Sequence, residues 1–332
     1  MTWHVYRGDG SARSSPIVNL PPPPPWRTFT GADNASLPVD DGGDGDRKVG
    51  GAEHPPRVPH PDEVALVNAS IHLRRPLLVT GAPGTGKSSL AYLIARELGL
   101  GPVLRWPITS HTTLLDGLYT YDAIARVQAA SHQPETDIGE FIHLGPLGTA
   151  LLASDHPRVL LIDELDKGDI DLPNDLLNIF EEGEYDISEL VRYAKRQSEV
   201  TVMTEDRDHT AVVHSGRVRC REFPIVIVTS NGEREFPPAF LRRCLLHHVE
   251  KPTTEQLASM VAAHFGGKER ADTGRLIAQF LERSAEVGGL AADQLLNAVY
   301  LATRLATSGT YTPDDEWKDI LAAIWHPLRE PM

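Results

Sequence analysis

Residues 81–88 read Gly-Ala-Pro-Gly-Thr-Gly-Lys-Ser and match the pattern G-x-x-x-x-G-K-[ST] at every fixed position. This pattern constrains the chain strongly, because it works only as the turn between a strand and a helix. Both flanks supply that context. Residues 77–80, Leu-Leu-Val-Thr, form a short apolar run able to be a strand, and residues 90–98 carry apolar side chains at helical spacing. The residue types follow from the chemistry of a polyphosphate. Glycines allow backbone N–H groups to close around the anion, and the N-terminus of the helix adds a favourable dipole. Lys87 is placed to reach the β and γ phosphates and the Ser88 hydroxyl to bind Mg²⁺. The candidate nucleotide-binding residues are Gly81, Ala82, Pro83, Gly84, Thr85, Gly86, Lys87, Ser88 and Ser89.

A phosphate site of this kind needs a second element, a carboxylate at the end of a neighbouring buried strand. Residues 159–162, Val-Leu-Leu-Ile, are continuously apolar and run into Asp163-Glu164. An apolar run without alternation suits the centre of a parallel sheet covered on both faces. Asp163 is the second candidate metal-binding residue beside Ser88, and Glu164 is the candidate that polarises an attacking water. A further buried run, residues 225–228, ends in Thr229-Ser230-Asn231. Asn231 can orient the water or contact the γ-phosphate; it can equally be a turn residue. Arg242 and Arg243 follow a short predicted helix. Either guanidinium can serve as an arginine finger or sit in a surface salt bridge.

Strands alternating with helices from residue 61 predict a three-layer α/β domain with a parallel sheet. After Lys251-Pro252 the strand signals stop, and residues 254–265, 272–285, 292–307 and 314–325 each show helical spacing, which predicts a small all-α domain. The expected division is residues 1–60, 61–252 and 253–332. The first of these holds ten of the 26 prolines, including the run 21–25, and a glycine–aspartate segment over 40–46. Such a stretch is expected to be largely disordered, although Trp3, Tyr6 and Trp26 are able to dock back on the folded part.

Composition narrows the function classes. A formal charge of −14 argues against a protein that coats nucleic acid. Cys220 and Cys244 are too few for a disulfide framework or a cysteine-ligated zinc site, which makes a reducing cytoplasm the default. No window approaches 18 consecutive apolar residues, so no membrane span is expected. Arg217, Arg219 and Arg221 alternate with Val218 and Cys220, placing the three guanidiniums on one face of a strand. They read either as a solvated edge that discourages aberrant pairing or as a basic rim for an acidic partner or nucleic acid.

Taken together, the phosphate loop, Leu160-Leu161-Ile162-Asp163-Glu164, Asn231 and Leu241-Arg242-Arg243 resemble the AAA+ ATPases in order and spacing, over about residues 60–307. They correspond to Walker A, Walker B, sensor 1 and the arginine-finger region. Two inserts point to the MoxR family within that group. Residues 114–117 through 140–146 resemble an insert in the helix after the second strand, and residues 186–222 resemble a hairpin placed before sensor 1. The resemblance implies ATP as the nucleotide, with Mg²⁺. It also implies a homo-oligomeric ring, usually a hexamer, in which Arg243, with Arg242 in reserve, acts on the nucleotide of the adjacent subunit. Chaperone-like remodelling of a protein client is the implied activity, and a von Willebrand A domain protein the implied partner class. An ATP-gated scaffold with little turnover is the alternative, and a nucleic-acid translocase stands lower. One departure bears on this choice. Where the family commonly carries a sensor 2 arginine, residues 289–294 read Gly-Leu-Ala-Ala-Asp-Gln, and Arg304 lies about three helical turns further on.

Overall fold

The computed structural model describes residues 3–11, 20–32, 35–39, 43–51, 57–132, 137–266, 273–308 and 315–327. Its centre is a five-stranded parallel sheet built from β1 (Leu77–Thr80), β2 (Leu104–Pro107), β5 (Val159–Asp163), β10 (Ile225–Ser230) and β11 (Leu245–His248), in the order β11-β1-β10-β5-β2. All residues of β5 and β10 are buried, as continuous apolar runs require when both faces of a parallel sheet are covered. Successive residues feed two different cores. Leu77, Val79, Leu161 and Ile227 pack on one side, against the helices Pro61–Leu73 and Ser89–Leu98. Leu78, Leu160, Ile162 and Val228 pack on the other, against the helix Leu172–Glu182. This is the predicted three-layer α/β arrangement, with β5 at the heart of both cores.

The second core also contains a six-stranded sheet that the sequence pattern did not reveal. Its strands are β3 (Tyr119–Tyr121), β4 (Ile142–Leu144), β6 (Glu184–Asp186), β7 (Glu199–Met203), β8 (Thr210–His214) and β9 (Arg217–Arg219), in the order β3-β4-β7-β8-β9-β6. The two inserts seen in the sequence are therefore parts of one sheet, joined where His143 of β4 pairs with Met203 of β7. Strands β7 and β8 form the expected antiparallel hairpin, and each alternates exposed and buried residues, the signature of a sheet wet on one face.

The arginine strand needs correction. β9 is not an edge, because it lies between β8 and β6. Arg217 stands opposite Asp186 and Arg219 opposite Glu184, each paired with the carboxylate across the ladder. Arg221 pairs with Asp155. Cross-strand neutralisation explains the arginines without a basic rim.

The C-terminal region is helical: Thr254–Phe265, Thr273–Glu286, Ala292–Ser308 and Asp315–Ile324. Thr253 and Gln256 form a capping box at its start, the hydroxyl accepting from the Gln256 N–H and the amide oxygen from the Thr253 N–H. Leu257, Val261, Phe280, Leu295, Val299 and Trp325 build a third core of its own. Among the described residues, no helix is long and apolar enough to cross a membrane.

Of the first 60 residues, 1, 2, 12–19, 33, 34, 40–42 and 52–56 lie outside the described residues. Described stretches between them contact the folded part, and of Trp3, Tyr6 and Trp26 it is Tyr6 that is buried. Tyr6 is fully buried, its hydroxyl donating to Glu63 at 2.9 Å, while Asn68 accepts from the N–H groups of Val5 and Tyr6. The Arg27 guanidinium donates to the Phe180 carbonyl at 2.7 Å and lies over the Phe223 ring. Trp26, by contrast, is 78% exposed.

Candidate nucleotide-binding site

The phosphate loop follows β1 and ends on the helix Ser89–Leu98. Gly84 and Gly86 both adopt positive φ, 73° and 85°, where a β-carbon is strained. A β-carbon on Gly84 would overlap Ala291 of the helical domain, whereas one on Gly86 would meet nothing within 4 Å. The backbone thus turns sharply around open space at Gly86. Ser88 stands at the N-cap of the helix but does not cap it. Its hydroxyl donates instead to Asp163 Oδ1 at 2.6 Å.

Lys87 is buried and spans the loop. Its ammonium donates to the carbonyls of Gly81 and Ala82, at 2.9 and 2.8 Å, and to Asn231 Oδ1 at 2.8 Å. Burial lowers its pKa, opposed by the carboxylates of Asp166, Glu164 and Asp163. The Asn231 side-chain amide in turn donates to Glu164 Oε1 at 3.0 Å. Lys87, Asn231 and Glu164 are therefore one connected polar chain, although they are far apart in sequence.

Asp163 and Glu164 end β5 in different environments. Asp163 Oδ1 accepts from Ser88 and from the Thr229 hydroxyl, and Oδ2 accepts from Arg105 Nε and Nη2 at 3.2 and 2.7 Å. Burial alone would raise its pKa; the hydrogen bonds from Ser88, Arg105 and Thr229 outweigh that and hold it below the usual carboxylate value. Glu164 has φ +62°, a conformation that costs a residue with a β-carbon roughly 1–3 kcal/mol. It is held there by its N–H, which donates to the Thr229 hydroxyl at 2.8 Å. Its other carboxylate oxygen, Oε2, accepts from the Lys167 ammonium at 2.7 Å, both groups half exposed.

Three residues of this network escaped the sequence reading. Thr229 links the two carboxylate positions, and its only signal was a hydroxyl at the end of a fully apolar strand. Asp166, 3% exposed, accepts at Oδ2 from the N–H groups of Asn231 and Glu233, while its buried Oδ1 has no partner among the described residues. A carboxylate in a buried turn just past Asp163-Glu164 was the available clue. Arg105 had none, because it reads as an outward residue on a strand of pattern buried, exposed, buried, exposed.

Lys87, Ser88, Glu164, Thr229 and Asn231 open onto a cavity of about 620 Å³, whose lining does not include Asp163, Asp166 or Arg105. Pro83 through Ser89, Glu164, Thr229 and Asn231 line it, together with Ala292, Asp293 and Leu296 of the helical domain. Gly81 and Ala82 reach it through the carbonyls that hold Lys87. The cavity size, the open turn at Gly86, the helix N-terminus and the buried ammonium fit a nucleoside polyphosphate. The Ser88 hydroxyl on Asp163 is an all-oxygen donor set suited to Mg²⁺. Arg242 and Arg243 lie elsewhere. Arg242 is exposed, and Arg243 donates to Glu181 at 3.3 Å and to the Ala239 carbonyl at 3.4 Å. Neither lines the cavity of its own chain. Cys220 and Cys244 are buried, and burial pushes both thiols up to about 12, which marks them as inert apolar residues.

The model of the AAA domain, dynein-related subfamily, matches residues 76–244, just over half of the chain. No curated protein matches the chain.

Proposed function

Because the chain belongs to the AAA domain family, in the dynein-related subfamily, we propose that it binds ATP in the cavity above the phosphate loop and hydrolyses it there, as one subunit of a ring. The observation that carries this reading is the connected chain from Lys87 through Asn231 to Glu164. It joins a phosphate-binding cation to a carboxylate poised to act on water, through an amide that can report on both. Lys87 holds the phosphate end, exchanging its carbonyl and amide partners for phosphate oxygens. Ser88 and Asp163 would hold Mg²⁺, which supplies neutralisation of the charge developing on the phosphoryl oxygens. Glu164 accepts the proton of the attacking water. Asn231 sets the direction of that carboxylate, and Asp166 fixes Asn231 through its backbone N–H.

The MoxR branch of the family rests on the two inserts and their common six-stranded sheet. With it go the hexameric ring, chaperone-like action on a protein client and a von Willebrand A domain partner. A cytoplasmic setting rests on the two buried, unpaired cysteines. One observation favours the second reading, a nucleotide-gated scaffold with slow turnover: no lysine or arginine of the described helical-domain residues 254–266, 273–308 and 315–327 lines the cavity. The translocase reading has lost its support with the neutralised arginines of β9.

Glu164→Gln separates these readings. The amide keeps the size and the hydrogen bond to Asn231 but cannot take a proton. We expect ATP affinity by calorimetry to stay near wild type and steady-state phosphate release to fall by a factor of about 10² or more. Turnover at the wild-type rate would remove Glu164 from its role. A wild-type protein that binds ATP yet releases almost no phosphate would favour the scaffold.

A further inference from the structure

The cavity has a wall that no motif announces. The helix Gly43–Val49 packs on the helix Ser89–Leu98, which carries the phosphate loop, and touches the helix Thr254–Phe265 of the helical domain. It is fastened to both. Arg96 Nη2 donates to Asp46 Oδ1 at 2.7 Å, with the arginine side chain only 10% exposed. Gly50, at φ +79°, lies so close to the Ala263 carbonyl that any β-carbon would overlap it, and the Gly51 N–H donates to the same carbonyl at 3.1 Å. One short stretch therefore bridges the two domains across the mouth of the cleft.

Its cations face the cavity. Arg47 pairs with Asp44 at 3.0 Å, and further along the chain Arg57 is held by both oxygens of Glu63. Lys251, on the linker between the domains, donates to the Gly288 carbonyl at 3.4 Å. Lys48 is different. It is half-buried, lines the same cavity as Lys87, and has no hydrogen-bond or ion-pair partner among the described residues. An ammonium is a compact, strongly hydrated point charge, so holding it in a cleft without a counter-charge is costly unless an anion enters. Of the parts of a nucleotide, only the polyphosphate supplies one.

We propose that residues 43–51 form a clasp over the nucleotide cleft, in which Lys48 is a second fixed cation for the polyphosphate of the bound nucleotide. The proposal rests on the reading of the cleft as an ATP site. It gives the N-terminal segment a task that the helical domain lacks the residue for: sensing the nucleotide's charge while joined to both domains. Lys48 acts as a binding residue, not as part of the water-activating chain.

Calorimetric titration of the full chain with ADP tests it, using wild type, Lys48→Gln, Lys48→Arg and Arg47→Gln. The Lys48 side chain has no hydrogen bond or ion pair among the described residues to lose, and thermal melts of the four proteins should coincide. Lys48→Gln should weaken ADP binding about tenfold or more, the cost of one charge-assisted contact. Lys48→Arg should restore most of the affinity, and Arg47→Gln, on the same helix but already paired and exposed, should stay within about twofold of wild type. Equal affinities for Lys48→Gln and wild type, or equal losses for Lys48→Gln and Arg47→Gln, would overturn the proposal. Gly50→Val adds a test of the fastening: if the clasp is real, pushing it off Ala263 should speed release of a fluorescent ADP analogue, and an unchanged release rate counts against it. Failure of wild type to bind ADP, by contrast, would refute the ATP reading itself. Loss of binding in Lys87→Ala with none in Lys48→Gln would refute the clasp alone.

Discussion

Arg105 illustrates how a single side chain can set the terms for a whole site. Its guanidinium grips Asp163 Oδ2 with two hydrogen bonds, while Ser88 and Thr229 take Oδ1, so the carboxylate is fully engaged by protein donors. A cation that is 47% exposed on one side of the contact is displaceable. If Asp163 holds Mg²⁺ as proposed, Arg105 competes with the ion for that carboxylate. We expect Arg105→Gln to lower the Mg²⁺ concentration needed for half-maximal tightening of ATP binding by about threefold or more, in keeping with loss of a charged competitor at a half-exposed contact. Calorimetric titrations with ATP at stepped Mg²⁺ concentrations would read this. An unchanged or raised Mg²⁺ requirement would mean that Arg105 orients Asp163 for the metal instead of opposing it.

Among the elements, the short helix Pro146–Ala150 ties the parallel sheet to the second sheet, and glycine makes the tie possible. A β-carbon on Gly148 would overlap the Leu118 carbonyl and come within 2.7 Å of the Tyr185 hydroxyl. Backbone cannot yield there as the tip of a flexible side chain could. Gly148→Ala should therefore lower unfolding free energy by about 1–3 kcal/mol, the usual cost of overpacking, measured by urea denaturation. Stability equal to wild type would show that the two sheets have slack between them. The same elements explain why the arginines of β9 misled. Alternation correctly put them on one face, but alternation says nothing of the strand that lies alongside, and β6 brought the carboxylates.

For the molecule as a whole, the proposed ring turns on Arg243. Arg243 holds Glu181 in a surface pair, both side chains well exposed at 41% and 57%. Such pairs are worth about 0–1 kcal/mol, so releasing the guanidinium toward a neighbouring subunit costs little. In the ring reading Arg243→Ala still binds ATP in its own intact loop and fails to stimulate its neighbour. Lys87→Ala fails to bind. Mixing the two inactive proteins should recover part of the ATPase activity, because some interfaces then pair an intact loop with an intact finger. Full activity of Arg243→Ala alone, with Arg242→Ala also harmless, would reject the shared site and leave a plain salt bridge.

The sequence by itself determined the glycine-rich loop after β1, the carboxylate pair at the end of β5, the parallel sheet and the run of helices that follows it. Those features are local: they depend on residue type at fixed spacing and on apolar periodicity, and the chain writes both within a few residues. Tertiary structure alone decided the rest. Thr229, Asp166 and Arg105 join the network of the candidate site because adjacent strand ends bring hydroxyl, carboxylate and guanidinium within hydrogen-bond reach across 58 to 67 residues of chain. The two inserts became one sheet through pairing between distant strands. Tyr6 and the helix Gly43–Val49, in a stretch whose composition argued for disorder, found partners on the folded domains. Ordering such a stretch costs backbone entropy that its own apolar content cannot offset, and only surfaces and carboxylates supplied from elsewhere in the fold make up the difference.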